Sequence, residues 1–120
     1  MLRLLLAIFL SITALPALSQ PRAAADVACK PAGKALTYDC SIKLNDKSTG
    51  KPIEGAKLTV GADMPSMPMA HNVRPVTAKP GAEPGTYTAR VQLEMHGDWA
   101  LKLRLSAPVK DQIIKKLRFE

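Results

Sequence analysis

The sequence predicts an all-β fold, an immunoglobulin-like antiparallel β-sandwich of about seven strands. Three observations point there. Apolar and polar residues alternate with period two through most of the chain. No segment sustains a capped helical period. Ten prolines and seven glycines are scattered without a repeat, which suits short strands and turns. Strands with one apolar face need a second sheet to cover them, and two stacked sheets supply it. A small barrel is the runner-up. With 120 residues, 47% of them hydrophobic, the chain has material for one domain and its core.

Residues 1–19 read as an export signal. Arg3 is a minimal basic region, Leu4 to Leu15 is a 12-residue apolar run, and Pro16 ends it. Ala17 and Ser19 place small residues before a cut at Gln20. The run falls short of the ~20 residues that span a bilayer. Residues 20–120 are then a single mature domain, periplasmic and not membrane-spanning after cleavage. Its net charge is +6 once Arg3 leaves a chain of +7. The cations are spread along the sequence and aromatics make up only 4%, which argues against nucleic acid. Export also places Cys29 and Cys40 in an oxidising compartment, where a disulfide is the default. A thiolate copper site is the alternative, and it would need the pair kept reduced.

The strands follow in order. Val27 and Cys29 make a short first strand. Leu36, Tyr38, Cys40, Ile42 and Leu44 form the inward set of the next, so both cysteines point inward. The polar run from Asn45 to Pro52 is a turn. Ala56, Leu58 and Val60 face inward on the strand after it. Tyr87, Ala89, Val91, Leu93 and Met95 alternate, His96-Gly97-Asp98 turns, and Trp99, Leu101, Leu103 and Leu105 alternate again. This pair reads as a hairpin. Ile113 to Phe119 makes a last strand with Leu117 and Phe119 inward.

The stretch from Asp63 to His71 breaks this pattern. Met64, Met67 and Met69 fall within six residues, and Met95 is the only other methionine of the mature chain. Both histidines, His71 and His96, sit within two residues of a methionine. Pro65 and Pro68 forbid a helix and favour an extended path. On such a path Met67, Met69 and His71 share one face, successive members about 6–7 Å apart. Thioether sulfur is a soft ligand and imidazole a borderline one, so together they select copper, Cu(I) above all. Both stay competent where free thiols would oxidise. The imidazole must be neutral, so affinity should weaken below pH ~6.5.

Methionine is also an adaptable core filler. Met64 continues the parity of Leu58 and Val60, and Met95 has inward parity on its strand, so each is a candidate for core as well as for metal. A methionine-rich loop is also a docking surface for protein. No nucleophile elbow, HExxH or glycine-rich phosphate loop is present, and Asp63, Glu94 and Asp98 form no acid–base pair by spacing. An enzyme is not expected.

The motifs Met67-x-Met69-x-His71, Gly85-x-Tyr87 and Met95-x-Gly97-x-Trp99, in that order, resemble the YtkA-like domain family, small exported β-sandwich proteins allied to FixH-type proteins. The resemblance covers roughly residues 35–119. It implies a sandwich fold and an association with copper handling or membrane-oxidase assembly. It also implies Met67, Met69, His71 and Met95 as ligand candidates, Gly85 and Tyr87 as turn and core residues, and Trp99 as core. The expectation is a periplasmic copper carrier or buffer with copper, as Cu(I), as cargo. Its partner would be a periplasmic or inner-membrane cuproprotein or an oxidase assembly factor. The competing expectation is an immunoglobulin-like accessory module that docks a partner through its methionine loop without metal.

Overall fold

The computed structural model describes residues 11, 13, 14, 22–67 and 73–120. Among them are eight strands: β1 (Ala23–Pro31), β2 (Thr37–Asp46), β3 (Lys57–Asp63), β4 (Val76–Thr77), β5 (Lys79–Pro80), β6 (Thr86–Gln92), β7 (Gly97–Ala107) and β8 (Asp111–Phe119). They build two antiparallel sheets of four strands, ordered β1-β2-β6-β5 and β4-β3-β7-β8. Lettered in chain order, with β4 as the extra C′ strand, this is the A-B-E-D and C-F-G arrangement of immunoglobulin domains. The export signal expected over 1–19 lies almost wholly outside the described residues. Among those described, no helix is long and apolar enough to cross a membrane.

The period-two sets meet between the sheets. Ile42 and Leu44 from one sheet, and Trp99, Leu101 and Leu103 from the other, are fully buried. Each such side chain contributes on the order of 1.5–3 kcal/mol by leaving water. Tyr38 on β2 meets Phe119 on β8 edge to face, with ring centroids 4.7 Å apart. The two outer strands are stitched at one corner, where the amides of Arg22 and Ala23 donate to Asp111 Oδ2 at 2.8 and 3.0 Å.

The expected hairpin between the two strongest runs does not form. β6 pairs with β2, and β7 pairs with β3 and β8 in the opposite sheet. The connection is an arch across the core. The amide of Leu93 still donates to Leu36, just ahead of β2 in the first sheet, at 2.8 Å, whereas Gly97 already pairs with Phe119 in the second. Two strands with matching inward faces satisfy their alternation equally well side by side or facing each other. Periodicity alone does not distinguish the two.

Cys29 and Cys40 are bonded to each other. They sit directly opposite in the β1–β2 ladder, with Cα atoms 4.0 Å apart. The bridge therefore lies within one sheet, unlike the inter-sheet bridge of antibody domains. Cys40 is buried, and Cys29 is half-buried at the edge. Because the pair is bonded, neither cysteine supplies a thiolate to a metal.

Candidate functional site

Three connections and the chain end gather at one end of the sandwich. β1 turns into β2 there, since Pro31 pairs with Tyr38. Thr37 pairs with Gln92 at the finish of β6, Asp63 with Ala100 at the finish of β3, and Gly97 with Phe119. The methionine segment therefore leaves β3 beside the arch that carries Met95 and His96.

Met64 and Met67 part company within four residues. Met64 is 4% exposed and belongs to the core. Its methyl group lies 3.0 Å from where a side chain on Gly97 would begin, so a larger residue there has to push the methyl aside. Gly97 also has φ of 135°, a conformation that L side chains rarely adopt. Pro65 and Ser66 then form the middle of a turn closed by the amide of Met67 donating to the Met64 carbonyl at 3.0 Å. Proline suits the second position of such a turn because its φ is preset. The turn aims Met67 outward, at 43% exposure.

Met95 is 39% exposed, so its inward parity fails. β6 stops at Gln92, Leu93 is the last inward residue, and the arch begins before parity reaches Met95. The arch is tied down from within. The indole Nε1 of buried Trp99 donates to the Met95 carbonyl at 3.0 Å. That bond fixes the backbone, while the residue stays partly exposed. His96, next in the chain, is also exposed. Met69 and His71 lie outside the described residues.

The end thus offers two exposed thioethers, on Met67 and Met95, and one exposed imidazole. Of the large exposed hydrophobic side chains described, only Val109 and Ile114 lie elsewhere. Among the described residues, no three His, Cys, Asp or Glu side chains converge on one point. The acids nearest these residues in sequence are engaged: Asp63 with Lys102, Asp98 with Arg118, and Glu94 with a partner of its own. Two thioethers and an imidazole are soft to borderline donors, and as a set they fit a soft cation better than a hard one.

The model of the YtkA-like family matches residues 24–104. The chain belongs to the YtkA-like family. The match takes in β1 to most of β7, and with them the methionine segment and the arch. It begins earlier and ends earlier than the resemblance carried by the motifs. No curated protein and no solved structure matches the chain.

Some features of this end leave no local trace in the sequence. Arg90 grips Asp39 across the β2–β6 ladder, with Nε and Nη2 donating at 2.8 and 3.1 Å. That hydrogen bonding holds the Asp39 carboxyl below its ordinary 3.8. The pair is 51 residues apart, and only the strand register brings it together. The contact between Trp99 and Met95 was more accessible, since four residues separate an indole from the backbone of a turn.

Proposed function

We propose that this protein is an exported, periplasmic copper carrier or buffer, not an enzyme. It would hold copper through methionine sulfur and histidine nitrogen, in copper tolerance or in assembly of a cuproenzyme or oxidase. One observation carries the reading. Met67 and Met95 come from segments far apart in sequence, yet both expose their thioethers at the same end of the sandwich, beside His96. Burial removes apolar side chains from water, and Met64, three residues away, is buried in just that way. Two methionines held out of the core beside a histidine suit a ligand of matching softness. Met69 and His71 complete the candidate set by sequence. Thioethers exchange ligands without proton loss, which suits a carrier that hands its ion on.

The test is an anaerobic Cu(I) competition titration of residues 20–120 against a chromophoric chelator. It runs beside a Met67→Leu, Met69→Leu, His71→Ala variant and a separate Met95→Leu variant. The expected result is one-to-one withdrawal of copper, weakened by about tenfold or more in each variant, or roughly 1.4 kcal/mol of binding free energy. A wild-type chain that withdraws no copper from a weak chelator defeats the carrier reading and leaves the methionine end as a protein-docking surface.

A further inference from the structure

β6 is only partly covered on the side away from β2. The short β5 pairs with Thr88 and Tyr87 and goes no further. The direction of the remaining backbone groups follows from bonds at either end of the strand. Leu93 donates toward β2, and Gly85 accepts from Leu44 on β2. Thr86 points the other way, accepting from Gly81 and donating to Glu83. Alternation then turns the amides and carbonyls of Arg90 and Gln92 outward. Among the described residues, no backbone or side-chain group bonds to them there. Sheet edges left open in this way are templates for a further strand.

The ground beside this edge is shaped and charged. A groove of about 640 Å³ runs along Arg90 and Gln92, with Leu93, Val73 and Val76 as its apolar lining. Lys34 and Arg74 stand on its walls with Glu94, an acid that has a partner of its own, and Lys79 lines the adjoining hollow. Arg90 is already engaged by Asp39. The remaining cations repel a second copy of this basic chain and attract an acidic one. Among the described residues, the stretch from Ala89 to Gln92 is unpaired on this side over about 13 Å, the length of four extended residues, with β4 flanking it at Ala89 and Arg90. It runs toward the arch that carries Met95 and His96.

We propose that the open edge of β6 is a strand-addition site for a short, extended, acidic segment of a partner protein. The segment exchanges backbone hydrogen bonds with Arg90 and Gln92, and its carboxylates meet Lys34, Arg74 and Lys79. Main-chain bonds supply affinity and the charges supply selectivity. The inference is independent of copper, and metal-free protein tests it.

The probe is a capped hexapeptide alternating threonine and glutamate, titrated into the isotope-labelled, metal-free protein and followed by amide NMR. The same peptide with lysine replacing glutamate is the control. Binding should shift the Arg90 and Gln92 amides, slow their hydrogen exchange, and be absent for the lysine peptide. Gln92→Pro removes the outward donor at a place where proline is tolerated, because that N–H is unpaired. It should weaken binding about fivefold, as expected for one lost hydrogen bond. Arg74→Glu, which leaves the strand untouched, should weaken it as well, and it carries the test if Gln92→Pro fails to fold. Four outcomes overturn the proposal: no shift at millimolar peptide, shifts confined to another surface, equal binding of the lysine peptide, or concentration-dependent shifts at Arg90 without peptide, which would mark self-pairing.

Discussion

The hydroxyl of Tyr87 makes two bonds that hold the loop entering β3. It donates to the Ile53 carbonyl at 2.7 Å and accepts from the Ala56 amide at 2.9 Å. The ring is buried in the core. Tyr87→Phe keeps the packing and strands both backbone groups. Unsatisfied groups of this kind cost about 1–3 kcal/mol. Urea unfolding should show a loss in that range, with copper withdrawal unchanged because Tyr87 serves the opposite end from Met67. An equal loss of copper binding would mean that the two ends are not independent. Single residues were the scale at which the sequence spoke least evenly. The inward place of Tyr87 followed from alternation, but its double bond to residues 53 and 56 depends on a loop with no period. The fates of Met64 and Met95 depended on where strands stop. Met64 kept its parity to the core, whereas Met95 lost it because β6 ends three residues earlier.

At the scale of elements, alternation located β2, β3, β6, β7 and β8, because each carries a long apolar face against polar neighbours. It could not say which strands pair. The two best runs were read as a hairpin and proved to belong to different sheets. β1 extends well beyond Val27 and Cys29, from Ala23 to Pro31. Alanines lie on both of its faces, so no alternation marks it. β4 and β5 have two residues each, too few for any period. The bridge between β1 and β2 joins cysteines 11 apart in sequence. In the chain-entropy model such a loop adds about 3 kcal/mol by restricting the unfolded chain. A Cys29→Ala, Cys40→Ala variant should therefore unfold earlier in urea by about 2–3 kcal/mol, less whatever the ladder already secures. Its copper stoichiometry should stay the same. A loss of stoichiometry with the fold intact would return the cysteines to the list of ligands.

At the scale of the molecule, the sandwich has two unlike ends. One is closed by polar turns and the Tyr87 clasp. The other gathers Met64–Met67, the arch and the chain end, and it exposes two methionines that the core does not use. The composition of that end was legible in the sequence, since methionines and histidines cluster in two segments. The meeting of Asp63–Met67 with Met95–His96 was open in the sequence, because loops of a sandwich cluster at either of two ends, and the β3–β7 register and the arch decide which. The basic groove along β6 was not legible either, because its cations come from four separate segments. The central claim is that Met67 and Met95 lie on one copper site while Met64 is packing. Methyl-resolved NMR of methionine-labelled protein, titrated with Cu(I) under anaerobic conditions, tests it most directly. The Met67 and Met95 methyl signals should move together and saturate at one equivalent, while the Met64 signal stays within the small change expected of a neighbour. Signals from Met67 and Met95 that stay in place, or a response confined to one of them, would contradict it.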